Sequence, residues 1–313
     1  MSTCATVSRD LDEPISGTAA TATTWLLLEQ PGPWGANALV SSHLDPFLGR
    51  ALEAAAQDTG VRVALIRRPG RHADLGSPRL RQVYAAHTVP GRVWLRSATT
   101  HDPRQLLDLD FAALGRGDHH TFDRALRGRP HTGGPLALVC TNGKRDRCCA
   151  LLGRPLAAEL AASGVRGAWE VTHLGGHRFS PTLLVLPHGY AYGRAEARAV
   201  KEVLHGVQEG RIVVEGCRGS SAWERPGQAA ELAVRAATGE DAAEALSVVR
   251  TSGGAPRWEV TVAHTDGRHW QVEVAQSHSQ PPRPETCGAS VLGSPARMDV
   301  VAVRELAGTA PAV

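Results

Sequence analysis

The tripeptide Leu48-Gly49-Arg50 returns as Leu152-Gly153-Arg154. The same offset of 104 residues sets Leu52 on Leu156, Ala54 on Ala158, Gly60-Val61-Arg62 on Gly164-Val165-Arg166 and Ala64 on Ala168. Nine of the 17 positions in 48–64 match their counterparts in 152–168. A segment repeated at a fixed offset builds one supersecondary unit more than once, and here that unit reads as β-α-β. Residues 25–28 and 135–139 are short apolar runs suited to buried strands. Between 45 and 58, Asp45 can cap a helix, Pro46 suits its first turn and Gly60 its stop. Residues 61–66 follow as a strand. In the second copy, residues 149–162 form the helix, closed by Gly164, with 168–171 as its strand. Such units join through right-handed crossovers around a central mixed sheet.

Around the repeat the pattern is looser. Residues 1–17 read as a flexible tail, polar and acidic, without the apolar stretch of a secretion signal. Residues 91–97 read as a strand, 102–114 as helical or irregular, and 115–134 as a linker rich in Gly, Arg and His. Residues 182–186 form a further strand, 188–190 a turn and 194–207 a helix. Beyond them, 227–237 and 242–246 read as helices. Residues 258–263 and 270–275 alternate around Thr265-Asp266-Gly267 as a hairpin, and 300–303 read as a last strand. This is an accessory α+β extension.

Composition excludes several classes. Apolar residues make up 42% of the 313 and charged residues 21%, so wholesale disorder is excluded. The net charge is +3, and Lys144 and Lys201 are the only lysines among 34 cations. Acidic residues are interspersed almost throughout, which is not the one-faced basic footprint of a nucleic-acid binder. Apolar runs such as 183–186 are far too short to span a bilayer. A cytoplasmic protein without nucleic-acid or membrane partners is expected.

Six cysteines are too few for a disulfide scaffold. Cys4 reads as an exposed tail thiol, and Cys217 and Cys287 as structural. Cys140, Cys148 and Cys149 cluster, which in a reducing compartment points to metal or redox chemistry. Cys140 ends a strand and Cys149 starts a helix, where the helix dipole favours a thiolate. Lys144, Arg145 and Arg147 in the loop between them act in the same direction. His173 and His177 follow the next strand. Their spacing would suit one helix face, but Gly175-Gly176 argue for a tight loop. Parallel strands joined by a crossover helix end on one sheet edge, so the cysteine and histidine pairs can converge. Two sulfurs and two imidazoles suit tetrahedral zinc or a [2Fe–2S] cluster with mixed ligation.

Cys140-Thr-Asn-Gly-Lys-Arg-Asp, Cys149 and His173-Leu-Gly-Gly-His177-Arg178-Phe179 give the chain its resemblance to a known family. Residues 135–193, and less sharply 18–313, resemble the sucrase/ferredoxin-like family of thioredoxin-like [2Fe–2S] ferredoxins. The resemblance implies two thioredoxin-like halves, pseudo-duplicated. Residues 18–130 would be a degenerate half without cluster ligands, 131–215 the [2Fe–2S] domain, and 216–313 the α+β extension. It also implies cluster ligation by Cys140, Cys149, His173 and His177, with Cys148 as the alternative to Cys149. Lys144, Arg145 and Arg178 would lie just outside the ligands. The sequence departs from ordinary thioredoxin-like ferredoxins, which use four cysteines, and from the ligand spacing of Rieske proteins. No paired carboxylates support glycoside hydrolysis.

Neutral imidazoles in place of two thiolates raise a cluster's potential, and coupling of reduction to histidine protonation would make that potential pH-dependent. The expected role is one-electron transfer or redox sensing with a redox donor or acceptor protein, as a carrier rather than as an enzyme in its own right. Two rivals use the same residues. One is a zinc-stabilised structural or interaction protein. The other is a thioredoxin-like thiol oxidoreductase acting through Cys140, Cys148 and Cys149, weakened by the absence of a C-x-x-C pair.

Overall fold

A computed structural model describes residues 3–70 and 80–307 of the chain. The outermost residues of the expected tail and extension, 1–2 and 308–313, lie outside these, as do residues 71–79 of the first half. The chain opens with a helix, α1 (Cys4–Asp10), capped by the Thr3 hydroxyl. The first β-α-β unit follows as β1 (Thr24–Glu29), α2 (Pro46–Ala56) and β2 (Val61–Arg67), with β1 and β2 parallel. Asp45 caps α2 by accepting the Phe47 N–H at 2.8 Å, and Pro46 occupies the first turn. β3 (Arg81–His87) and β4 (Trp94–Thr100) return antiparallel beside β1.

The segment expected to be a linker carries structure of its own. After α3 (Phe111–Gly115), which falls in the stretch expected to be helical or irregular, come α4 (His120–Leu126) and a two-residue strand, β5 (Arg129–Pro130). Phe122 and Leu126, four residues apart on α4, are buried in the first core. Two apolar anchors suffice to dock a short helix that its surrounding Gly, Arg and His residues disguise.

The second unit repeats the plan with β6 (Leu136–Cys140), α5 (Arg147–Ala162) and β7 (Ala168–Val171), β6 and β7 again parallel. β8 (Leu183–Leu186) and β9 (Tyr190–Tyr192) return antiparallel beside β6, and α6 (Ala197–Gln208) packs on this half. Among the described residues the ten strands from β1 to β10 (Cys217–Ser220) form one mixed sheet, ordered β10-β9-β8-β6-β7-β2-β1-β3-β4-β5. Read outward from its centre, each half therefore has the same strand order and the same directions.

The halves meet where β2 pairs antiparallel with β7, Ile66 opposite Val171 and Arg67 opposite Glu170. Under the 104-residue offset Ile66 corresponds to Glu170 and Arg67 to Val171. Each residue thus pairs with the counterpart of its neighbour, the self-complementary register of a two-fold contact. The join is ionic: Arg67 Nη2 lies 2.7 Å from Glu170 Oε2, both side chains buried, and the Thr141 hydroxyl donates to the same oxygen at 2.8 Å. The two helices also use their repeated glycine alike. A Cβ on Gly49 would stand 1.9 Å from the Leu39 carbonyl oxygen, and one on Gly153 would stand 2.1 Å from that of Cys140. Only glycine lets either helix approach the loop or strand end beneath it.

The extension is a four-stranded antiparallel sheet of β11 (Leu246–Gly254), β12 (Arg257–His264), β13 (His269–His278) and β14 (Ala296–Leu306), in that order. α7 (Arg225–Thr238) covers one face, setting Ala229, Ala230 and Val234 against Val260, Val262, Trp270 and Val272. The expected hairpin at Thr265-Asp266-Gly267 joins β12 to β13. Residues 242–246 are not a helix. Their backbone is claimed by an irregular pairing with the chain after α6, in which Ala243 N–H donates to Gly210 and Ile212 N–H to Asp241, and Leu246 already begins β11. Among the described residues no helix is long and apolar enough to cross a membrane.

Candidate metal centre

Cys140 is the last residue of β6, directly opposite Val171, the last residue of the parallel strand β7. The loop beyond Cys140 turns into α5 through Asp146, whose carboxylate accepts the Cys148 N–H at 2.9 Å as the helix cap. Gly153 lets α5 settle on the Cys140 carbonyl. Cys149, one turn earlier on the same face, is thereby brought against the Cys140 side chain. From the end of β7 the chain passes Thr172 to His173, then through Gly175 and Gly176 at φ +81° and +69°, into a single 3-10 turn, His177–Phe179. The expected tight glycine loop is present. The buried guanidinium of Arg218 holds it by donating to the Gly175 carbonyl at 3.1 Å, and a Cβ on Gly176 would collide with that guanidinium.

One ligand atom each from Cys140, Cys149 and His173 lies within 4.8 Å of the others. Both sulfurs are fully buried, at 1% and 0% exposure, while the histidines form the partly open rim. Of the adjacent cysteines it is Cys149 that faces Cys140. The hydrogen bond from Cys149 lowers the Cys140 pKa, burial opposes this, and His173 assists.

The His177 ring lies 5.5 Å, centroid to centroid, from that of His173. Its Nε2 is 2.8 Å from the Glu285 carbonyl oxygen. A carbonyl can only accept, so the proton sits on Nε2 and Nδ1 keeps its lone pair. That Nδ1, like Nδ1 of His173, is buried without a hydrogen-bond partner. An orphaned acceptor is costly in a folded interior unless something fills it. Burial keeps the His177 pKa below its ordinary value despite the nearby Asp146.

Cys148 points the other way. Its Sγ is 3.4 Å from that of Cys4 and 3.0 Å from that of Cys287, and Cys4 and Cys287 are 3.5 Å apart. Asp146 completes this second group, within 4.8 Å throughout. Cys4, expected to be an exposed thiol, is 1% exposed. Burial raises the Asp146 pKa, but the N–H groups of Cys287 and Cys148 outweigh it and hold the carboxyl below its ordinary value. Cys217 lies in the β-sheet core, where burial pushes its thiol up to about 12.

The residues expected to surround the ligands divide. Arg145 lines a cleft of about 290 Å³ beside His173, with Arg62, Asn142 and Thr172. Lys144 faces a different cleft, with Trp34 and Arg67. Arg178 turns away and pairs with buried Glu13 at 2.8 Å. The cations that do support the site are Arg62, which donates to the His173 carbonyl at 2.9 Å, and Arg218. The charge of Cys140 acts on both arginines, and both are held below their ordinary pKa by burial, Arg218 at about 10. Arg62 comes from the other half of the sheet and Arg218 from β10, so no local motif marks them. Asp146 was legible as a helix cap three residues before Cys149.

The fold and the site define a mixed α/β protein with buried Cys, His and Asp groups of the kind and spacing that can hold a metal ion. The chain belongs to the sucrase/ferredoxin-like family, whose model matches residues 15–219. No curated protein and no solved structure matches it.

Proposed function

We propose that this protein is a redox protein whose [2Fe–2S] cluster is held by Cys140, Cys149, His173 and His177, and that it transfers single electrons or senses redox state. One observation carries the reading. Two buried thiols are grouped with His173, the His177 ring lies 5.5 Å from that of His173, and Nδ1 of each imidazole is buried and unpartnered, so the donor set fits. When bound, such a cluster supplies one-electron transfer. With two thiolates and two neutral imidazoles it is formally neutral when oxidised and singly negative when reduced, so reduction is easier than with four thiolates.

The remaining chemistry belongs to the chain. Buried Arg218, and Arg62 beside the cleft, offset negative charge at Cys140. The Glu285 carbonyl fixes the ring of His177 by holding its Nε2 proton, a common outer-shell device for metal-bound histidine. With a cluster bound at Nδ1, that Nε2 proton would be the one whose release accompanies oxidation, and the potential would then fall as pH rises. The partly exposed histidine rim is the side from which an electron enters or leaves, and a donor or acceptor protein in the cytoplasm docks there. The shared strand order and the two-fold register at β2 and β7 support two thioredoxin-like halves derived from one ancestor, with ligands kept in the second; β10 (Cys217–Ser220) belongs to that half, so the boundary between 131–215 and the 216–313 extension moves a few residues later.

The test is an EPR spectrum of the reduced, aerobically purified protein, with iron and zinc analysis. A rhombic signal with nitrogen hyperfine coupling, lost in His173→Ala and His177→Ala, is expected. A colourless protein with zinc bound by Cys140 and Cys149 would instead assign these ligands a structural ion.

A further inference from the structure

Cys4, Cys148 and Cys287 come from the first turn of α1, the first turn of α5 and the 279–295 loop between β13 and β14. Cys4 and Cys287 stand 283 residues apart in sequence, yet their sulfurs lie 3.5 Å apart. None of the three is disulfide-bonded. A disulfide would use two sulfurs and strand the third, whereas these form a near-equilateral triangle with edges of 3.0–3.5 Å. Three thiolates on one tetrahedral ion with Zn–S near 2.3 Å have edges of about 3.7 Å, so the triangle needs only a slight expansion.

The fourth corner is present. Asp146 Oδ1 lies 3.9 Å from Cys4 Sγ, against about 3.6 Å for a sulfur and a carboxylate oxygen sharing a zinc ion. Each Asp146 oxygen accepts one backbone N–H, from Cys148 and from Cys287, both at 2.9 Å. A carboxylate oxygen has a second lone pair to offer. The Cys148 and Cys287 N–H groups hold the Asp146 carboxylate in place, and the N-terminus of the 16-residue α5 adds its positive end. These are the outer-shell contacts that support thiolates on a metal.

We propose that Cys4, Cys148 and Cys287, with Asp146, hold a structural zinc ion that ties the N-terminal helix and the 279–295 loop to α5. Three thiolates and a carboxylate with no open position suit zinc in a closed structural role. The ion lies beside the first group of ligands without sharing any, since Cys148 and Cys149 face opposite ways. It holds the loop whose Glu285 carbonyl orients His177. Binding requires the three thiols to release their protons as the zinc–sulfur bonds form, with no change in oxidation state.

The experiment measures zinc and iron separately in untagged full-length protein after EDTA dialysis, and records Co²⁺ spectra of protein stripped and refilled. One retained zinc per chain is expected, with Co²⁺ giving the intense thiolate charge-transfer and tetrahedral ligand-field bands of a sulfur-rich site. Cys4→Ala and Cys287→Ala should each lose the zinc and those bands. Cys140→Ala should keep both, whether or not iron is present, so this proposal and the cluster reading fail independently. Should a variant not fold, the wild-type Co²⁺ spectrum still decides by the presence or absence of thiolate bands. Zinc lost in Cys140→Ala but kept in Cys287→Ala would overturn the proposal. So would a disulfide among Cys4, Cys148 and Cys287 found by alkylation and mass spectrometry of zinc-free protein.

Discussion

The Asp146 carboxylate stands 3.6 Å from Nε2 of His177 while capping α5 and touching the group of Cys4, Cys148 and Cys287. One acidic side chain therefore links the histidine rim of one group to the thiols of the other. Its neighbours Cys148 and Cys149 diverge from the first turn of the helix it caps.

That divergence makes the adjacent cysteines separable. Cys149→Ala should bleach the visible spectrum of the purified protein and drop its iron to near zero. Cys148→Ala should keep the iron and lose the zinc. Visible absorption and metal analysis on the two variants check this, and equal bleaching in both would contradict the assignment of Cys149.

Replacing Asp146 separates its capping from its charge. Asp146→Ala leaves the Cys148 and Cys287 N–H groups without their acceptor. Loss of a helix cap costs about 1–2 kcal/mol, visible as a lower denaturation midpoint and as faster amide exchange at Cys287. Asp146→Asn keeps one oxygen for the Cys148 N–H but sets its NH2 against the Cys287 N–H, so it should recover only part of the stability. If the alanine variant matched wild type, the cap would be energetically idle.

The central ion pair between the halves should matter more than the exposed pairs. Arg67 and Glu170 are 5% and 3% exposed. Removing one partner of a buried pair costs about 3–5 kcal/mol because it strands the other charge. Glu170→Ala should show that loss in a urea titration. Arg67→Met with Glu170→Leu should recover part of it, though the Thr141 hydroxyl then loses its acceptor.

His87 predicts an acid sensitivity remote from the metal groups. It is buried, with Nδ1 2.9 Å from the Thr24 hydroxyl, and stacks on Trp94. Burial first, and Arg92 second, lower its pKa from 6.5 to about 4. The unfolded chain therefore binds a proton that the folded chain refuses between these values, so stability falls as pH drops from 6.5 toward 4 and is flat below. At pH 5 the loss is about 2 kcal/mol. His87→Gln should lose less between pH 7 and pH 5 than wild type, measured by denaturant unfolding at both. Equal losses would show that His87 is not responsible.

Much of this was legible in the chain because it is local. Asp45 and Asp146 sit where helices need acceptors, Gly175-Gly176 where a loop must turn tightly, and the alternation around Thr265-Asp266-Gly267 where a hairpin must close. The repeat at offset 104 announced two like units. α4 was hidden because Phe122 and Leu126 sit among polar residues. β3 escaped because Arg81, Gln82 and His87 interrupt its apolar residues, which blurs the period of a buried strand. The helix expected at 242–246 failed because the chain after α6 competes for the same backbone groups.

By itself the sequence pointed to most of the elements, to their pairing into two β-α-β units, and to Cys140, Cys149, His173 and His177 lying at strand and helix ends. Each follows from forces acting within a turn or a crossover. Only the tertiary structure decided that Arg67 meets Glu170, that Arg62 and Arg218 support the site, and that Cys4 and Cys287 join Cys148. Those contacts span from 43 to 283 residues of chain. No periodicity or spacing rule reaches that far, and the packing of the sheet and its covering helices selects them.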